Sequence, residues 1–236
     1  LIRQIPDVRV LREFTHPDED YPYSKIQGLG EIAGEIVADV PSIRKVGLAG
    51  RGLIGTDVLS AFQAALPKAT WIDVENAICN LRAQKSPAEL EVIRSAYHIA
   101  EIGINAAIAT IQPGVTERAV AAEAEAAMRR AGAEGTGIDT IVAAGPHSRP
   151  ILARSTFRRI QADELVLLTV APRYEGYHGA IGRAVLVGNP GAEVLRALNV
   201  ACQAQEACFR AMRPDVEGRA VEAIGRCVFA RFVGVV

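Results

Sequence analysis

Two stretches of the chain resemble each other closely enough to restrict its possible folds. IQPGVTERAV spans residues 111–120 and MRPDVEGRAV spans residues 212–221, so the offset from 111 to 212 is 101 residues. The two stretches share Pro, Val, Arg, Ala and Val at equivalent positions, and an alanine-rich segment precedes each of them. Because the order of helix, turn and helix is also shared, the sequence predicts an internal duplication.

The first copy begins with two helices. Ser86 and Glu89 have the spacing of a capping box, and Pro87 stands at the first helical position. Apolar residues then recur at spacings of three and four, as on the buried face of an amphipathic helix. Thr116 is the predicted cap of the second helix, which ends before Gly132. This half of the duplication therefore starts with a helical pair.

A strand and a β-hairpin follow these helices. The strand is predicted at 139–145, and the hairpin at 167–188 has its two strands joined at 173–176. The second copy reaches Val236, where its own strands are expected to begin. The sequence therefore predicts an α+β domain over residues 81–236 that is incomplete in its second half.

Strand and helix patterns alternate before this domain. Short apolar runs at 45–50 and 70–74 are predicted strands, and a segment with helical spacing follows each of them. Such alternation is typical of a small α/β unit. Residues 1–80 are therefore predicted to form part of an α/β domain that precedes the larger one.

Composition argues against several classes of protein. The chain has 26 basic and 27 acidic residues, and its net charge of −1 does not favour binding to nucleic acid or to an anionic membrane. No run approaches the roughly 18 apolar residues of a membrane span, and no signal-sequence pattern opens the chain. The four cysteines lack a C-x-x-C spacing, so we expect buried, reduced thiols in a cytoplasmic protein.

Several motifs resemble the creatinase, prolidase and aminopeptidase P family. Lys85–Ser86–Pro87 leads into a helix, and the other motifs are PGVTE, IVAAGPHS and GYHGAIGRAVLVG. The resemblance implies the "pita-bread" fold, in which two αβ halves are related by a pseudo-twofold axis. It also implies a preceding α/β N-terminal domain, a homodimer, and a small molecule or short peptide as substrate.

The resemblance further implies a metal site whose ligands are missing here. Metallopeptidases of the family carry two aspartates on the hairpin strands, and these fall on Thr169 and Ala180, while a family His falls near Leu152. Further ligands of the family would lie beyond Val236. Only three carboxylates occur within 140–190, too few to balance about +4 of charge on two metal ions. We therefore predict no metal and no other cofactor.

The hairpin and the loop before it carry the candidate site residues. His147 and His178 are the candidate general acid/base groups, because histidine changes its charge near neutral pH. Arg154 is a candidate for binding a substrate carboxylate with its planar fork of donors. The other candidates for substrate contacts are Thr169, Glu175 and Tyr177.

These residues leave three functions open. The first is a metal-independent hydrolase that acts on a small amide, guanidino or peptide-like C–N bond, as creatinase does on the same fold. Creatine itself is not an expected substrate, because Gly182 stands where creatinase-like members have Glu. The second is a catalytically degenerate homologue that binds a ligand or partner, and the third is an ordinary Xaa-Pro metallopeptidase. The polar groups that replace the missing ligands favour the first, although they leave open whether the protein is an enzyme.

Overall fold

The chain contains two compact units, one ending at Lys85 and the other beginning at Ser86. The computed structural model describes residues 9–16, 25–39, 42–150 and 152–233. None of the helices in these ranges is long and apolar enough to cross a membrane.

The described part of the first unit alternates strands with helices. Its elements are β1 (Arg9–Leu11), β2 (Lys25–Gln27), α1 (Leu29–Asp39), β3 (Lys45–Leu48), α2 (Thr56–Ala65), β4 (Thr70–Asp73) and α3 (Glu75–Ala83). Strand β1 pairs in parallel with β2, and β3 pairs in parallel with β4. Helix α2 supplies the crossover that the parallel pairing of β3 and β4 requires. Both strands predicted within 45–74 are confirmed.

The second unit combines helices with antiparallel strands. Its elements are α4 (Pro87–Thr110), α5 (Glu117–Arg130), β5 (Gly135–Thr136), β6 (Ile141–Ala144), β7 (Glu164–Val170), β8 (Pro172–Tyr174), β9 (Tyr177–His178), β10 (Ile181–Val187), α6 (Ala192–Ala211) and α7 (Gly218–Val233). One sheet has the order β10–β7–β6, and another has the order β5–β8–β9. The α+β class predicted for this unit is confirmed.

Both predicted helix caps are present. The Ser86 hydroxyl accepts a hydrogen bond from Glu89 N, and Ser86 N donates to the Glu89 carboxylate at 2.7 Å. The Thr116 hydroxyl accepts from Ala119 N at the start of α5. These caps satisfy backbone N–H groups that have no partner within the first turn of a helix.

The turns between the paired helices have the same backbone conformation. Ile111 ends α4 with φ −67° and ψ 116°, and Met212 ends α6 with φ −66° and ψ 115°. Three residues later, Gly114 has φ 90° and Asp215 has φ 69°, so both turns pass through the left-handed region. The internal duplication predicted from the sequence therefore extends to the backbone.

The predicted hairpin is confirmed, but it bends from one sheet into another. Its register is constant from the Glu164–Val187 pair to the Tyr174–Tyr177 pair. Strands β7 and β10 belong to the sheet with β6, whereas β8 and β9 pair beside β5. At the bend, Gly179 lies so close to α4 that a Cβ there would overlap the helix backbone.

The sheet β10–β7–β6 has one face packed against helices α4 and α5. Val142 and Leu168 belong to this buried core, together with Val120 of α5. Because side chains alternate along a strand, Ile141 and Ala143 lie on the opposite face, which we call the outer face. Helices α4 and α5 thus cover one face of the sheet and do not cover the outer face.

The cysteines differ from the sequence-based expectation. Cys79, Cys202 and Cys227 are exposed and Cys208 is half-buried, all as free thiols. The prediction of buried thiols was therefore wrong. Cys202 and Cys208 lie on α6 and Cys227 on α7, and Ala204 is the buried residue of α6.

Candidate functional site

A pocket opens beside Ile141 on the outer face. Its volume is about 320 Å³, and it lies between β6 and the returning segment before Thr156. Ser155 holds this segment against β6, because its hydroxyl donates to Thr140 O and accepts from Val142 N, each at 2.9 Å. The lining residues are Ile138, Asp139, Ile141, Leu152, Ala153 and Arg154.

The pocket carries one basic and one acidic side chain. Arg154 Nη2 lies 3.2 Å from Asp139 Oδ2, and the two side chains are 87% and 64% exposed. An exposed ion pair contributes only about 0–1 kcal/mol, so either group can exchange its partner for a ligand at little cost. The guanidinium matches the geometry of a carboxylate. The arrangement therefore suits a small molecule that has a carboxylate and an apolar part.

Thr169 lies in the row of residues that crosses the sheet beside this pocket. Its cross-strand partners are Ile141 on β6 and Gly182 on β10. Residues directly opposite each other in a sheet project from the same face. Gly182 leaves space over the row, since a Cβ there would lie 3.8 Å from Thr169 Oγ1. The Thr169 hydroxyl is thus on the outer face, next to the pocket wall. We call the row of Ile141, Thr169 and Gly182 the Ile141 end of the sheet.

His178 lies at the Ile141 end and is exposed. It pairs with Arg173 across the β8–β9 hairpin. Its ring lies against Gly137, where a Cβ would overlap the imidazole. The His178 ring thus contacts the residue that directly precedes the pocket residues Ile138 and Asp139.

His147 lies at the opposite end of the sheet. It follows Ala144, which pairs with Val166, whereas Ile141 pairs with Thr169 three residues further along β7. At about 3.3 Å per residue, roughly 10 Å separates these two rows. We call the row of Ala144 and Val166 the Ala144 end. The structure therefore does not bring the two candidate histidines together.

Glu117, which the sequence analysis did not select, is the main partner of His147. It is fully buried in the first turn of α5. Its carboxylate accepts hydrogen bonds from Ala144 N at 2.9 Å, from Thr156 N at 2.9 Å and from Thr156 Oγ1 at 2.7 Å. His147 Nδ1 lies 2.9 Å from both carboxylate oxygens. One side chain thus joins three segments of the chain.

These contacts determine the protonation of Glu117. Burial alone would favour the neutral acid, but hydrogen bonds from Thr156, Ala144 and His147 outweigh it and hold the pKa of Glu117 below its usual value. An ionised carboxylate can only accept hydrogen bonds, so His147 Nδ1 carries a proton and donates it. His147 is therefore engaged in holding the structure together.

The sequence did contain a signal for Glu117. Its position continues the buried stripe of α5 at helical spacing, ahead of Val120, Ala124 and Met128. A carboxylate on a buried stripe requires several donors, because burying an unpaired charge is costly. The donors come from distant positions, so the sequence alone does not identify them.

Tyr177 and Glu175 lie outside the pocket lining. Tyr177 Oη donates to Glu89 Oε1 at 2.6 Å and so fastens the hairpin to the first turn of α4. Glu175 and Gly176 form the two-residue turn, with φ of 48° and 77°, and Glu175 is exposed. Positive φ at both central residues is typical of a type I′ hairpin turn. Tyr177 thus anchors the hairpin to α4, and Glu175 forms part of its turn.

Solved structures of prolidase and aminopeptidase type share this fold. A prolidase from Pyrococcus horikoshii gives a TM-score of 0.79 at 24% identity, over 89% of this chain and 60% of that one. An Xaa-Pro dipeptidase from Bacillus anthracis gives 0.79 at 26% identity, over 89% of this chain and 59% of that one. The pita-bread fold expected from the sequence is confirmed.

The chain belongs to metallopeptidase family M24, whose pattern matches residues 91–235. An Xaa-Pro dipeptidase of Pyrococcus horikoshii is 30% identical over 159 residues, which is 67% of this chain and 45% of that protein. An uncharacterized peptidase of Bacillus subtilis is 29% identical over 167 residues, or 71% of this chain and 47% of that protein. The chain thus spans about half the length of these curated relatives.

The described residues do not fit the metal centre that the family resemblance implies for the hairpin. The resemblance places the two aspartates at Thr169 and Ala180 and the histidine near Leu152, and the apolar side chains of Ala180 and Leu152 cannot bind a metal ion. In the part of the chain that the structure describes, no group of three or more His, Cys, Asp or Glu side chains could hold a metal ion. The residues at these three positions therefore supply no carboxylate or imidazole to a metal ion.

Proposed function

We propose that this protein is a metal-independent member of family M24 that binds a small amide or peptide-like molecule and hydrolyses its C–N bond. The observation that supports this most is the Ile141–Thr169–Gly182 row, which has a hydroxyl at the first aspartate position. The adjoining pocket has a guanidinium and an apolar wall. These groups are suited to binding an organic ligand directly.

Each pocket group has a role in this proposal. Arg154 binds the carboxylate of the ligand, and Leu152 packs against its apolar part. His178, beside Gly137, takes a proton from the attacking water and returns it to the leaving nitrogen as the C–N bond breaks. The Thr169 hydroxyl donates a hydrogen bond to the carbonyl oxygen, where negative charge develops.

A second candidate is a homologue that binds the same kind of ligand without cleaving it. The separation of the histidines favours this candidate, because His147 is bound to Glu117 at the Ala144 end. Only His178 of the two remains beside the pocket. A single exposed imidazole provides weaker acid/base catalysis than a pair that acts together.

The assembly and location are also proposals. We propose a cytoplasmic homodimer without nucleic-acid or membrane partners. The resemblance to the family supports the dimer, and the near-zero net charge supports the absence of a nucleic-acid partner. Light scattering during gel filtration measures the mass in solution, and a monomer at all concentrations would refute the dimer.

The proposed function is tested with dipeptides such as Ala-Pro and with N-acetylproline, in the presence and absence of a chelator. We expect metal-independent turnover, with His178→Ala lowering kcat about 100-fold. Arg154→Ala is expected to raise KM about tenfold through loss of a charged hydrogen bond. His98→Ala is the matched control, because His98 is an exposed histidine on α4.

Each alternative has its own result in this experiment. Binding without turnover, weakened by Arg154→Ala but not by His178→Ala, would support the second candidate. Turnover that is abolished by the chelator and restored by manganese or cobalt would support an ordinary Xaa-Pro metallopeptidase.

A further inference from the structure

We propose that Glu117 and His147 form a clasp that closes the loop 145–155 and so positions Arg154 in the pocket. The clasp itself follows from the contacts, whereas its importance for binding rests on the proposed function. His147 is thereby a positioning residue, and it does not contact the ligand.

The clasp is centred on one carboxylate that touches both ends of the loop. Ala144 N, just before the loop, and Thr156 N, just after it, both donate to Glu117 at 2.9 Å. Their shared acceptor brings the loop ends together, as in an Ω-loop. His147 adds a donor to this carboxylate from within the loop.

The two sides of the loop are held in different ways. The returning side is tied to the body of the unit through Ser155, whose carbonyl accepts from Arg118 Nε at 3.3 Å and whose hydroxyl bonds to β6. The outgoing side reaches Glu117 through His147. Arg154 directly precedes Ser155 on the returning side, and its guanidinium forms the exposed ion pair with Asp139. His147 and Thr156 bind the same Glu117 carboxylate, so loss of the His147 contact would weaken the hold of Glu117 on Thr156 and loosen the neighbouring stretch that carries Leu152 and Arg154.

The strength of the clasp follows from the charge of Glu117. Hydrogen bonds to an ionised group are stronger than those between neutral groups. The carboxylate also lies in the first turn of α5, where the helix dipole favours negative charge. The His147 side chain is 28% exposed and belongs to neither of the buried apolar clusters. Its replacement thus tests the clasp without removing the core.

Tryptic cleavage at Arg154–Ser155, followed by mass spectrometry, measures opening of the loop directly. Arg149 precedes Pro150 and so provides no competing cleavage site in the loop. We expect His147→Ala to accelerate cleavage at Arg154–Ser155 about tenfold, through loss of a hydrogen bond to a charged group. Cleavage at Arg94–Ser95, within α4, should stay unchanged. His147→Asn keeps an N–H donor and should restore most of the protection.

Binding of N-acetylproline to the same variants separates positioning from general stability. His147→Ala should weaken binding about tenfold while lowering the unfolding temperature by only a few degrees, whereas His98→Ala should change neither. Unchanged cleavage in His147→Ala would overturn the clasp, and so would equal acceleration at Arg94 and Arg154. If the unaltered protein does not bind the probe, the proposed function fails, while the cleavage rates still decide the clasp.

Discussion

The two ends of the sheet β10–β7–β6 use their polar residues in opposite ways. At the Ala144 end, the buried Glu117 carboxylate has donors on both oxygens. At the Ile141 end, Arg154 and Asp139 form one exposed ion pair. Polar groups that satisfy one another fix a structure, whereas exposed groups with weak partners can change partners. The Ala144 end is therefore where we expect mutations to alter stability, and the Ile141 end is where we expect them to alter binding.

Glu117→Ala gives the largest effect in this comparison. Removing the carboxylate leaves the buried Ala144 N without its acceptor, at about 1–3 kcal/mol for such a group, and also removes the acceptor of the partly buried Thr156 N. We therefore expect the free energy of unfolding, measured with urea, to fall by about 3 kcal/mol or more. Glu91→Ala is the control, since Glu91 is an exposed partner of Arg94. A loss no larger than that of the control would refute a structural role for the Ala144 end.

Gly179→Ala tests the bend that carries the hairpin to the Ile141 end. The added Cβ would overlap the backbone between Ala96 and Tyr97 of α4, which cannot move aside as a side chain can. We expect a loss of about 1–3 kcal/mol in thermal or urea unfolding. At Gly182, by contrast, an added Cβ has only ordinary contacts, so Gly182→Ala should change stability little. Equal effects of the two substitutions would show that the bend does not depend on the close approach at Gly179.

Acidification should weaken the Ala144 end of the sheet more than the Ile141 end. The pKa of Glu117 is lowered, as described above, and the ion pair with Arg158 lowers the pKa of Glu164 as well. Both groups have lower pKa values when folded than when unfolded. Their stabilisation is therefore complete above the unfolded value of 4.5 and is lost as the pH falls through the lower folded values.

Unfolding measured between neutral pH and about pH 3 checks this linkage. Glu117→Gln should flatten the acid limb of the stability curve, because it removes one of the linked carboxylates. A variant with the same acid limb as the unaltered protein would show that Glu117 is not one of them.

Arg154→Ala should have the smallest effect on stability. Its side chain is 87% exposed, so the expected change in unfolding free energy is below about 0.5 kcal/mol. Arg154→Lys keeps the charge but lacks the planar fork, and it should recover only part of any carboxylate binding. A large loss of stability in Arg154→Ala would contradict the claim that the Ile141 end contributes to binding and not to stability.

The sequence was informative where local rules determine structure. The capping box at Ser86, the Thr116 cap and the hairpin register depend on residues close in the chain or on strict alternation. The duplicated turns at Gly114 and Asp215 likewise repeat a local backbone conformation. These features follow from short-range physical chemistry, and the structure reproduces them.

The candidate site was less predictable because its contacts are long-range. The bend at Gly179 depends on a helix more than 80 residues earlier in the chain, and a glycine gives no sign of what approaches it. The sequence makes Tyr177 a candidate substrate contact and gives no sign that its hydroxyl donates to Glu89, 88 residues away. The donors to Glu117 likewise come from β6 and from Thr156. The pairing of polar groups across such separations requires the folded structure.

Metal content of the purified protein tests the central claim most directly. The protein would be dialysed against a chelator, incubated separately with manganese, cobalt and zinc, freed of unbound ions and analysed by mass spectrometry. The account predicts no stoichiometric metal under any condition, because Thr169 and Ala180 cannot replace two carboxylates. One or two tightly bound ions per chain would contradict it and would make an Xaa-Pro metallopeptidase the leading function.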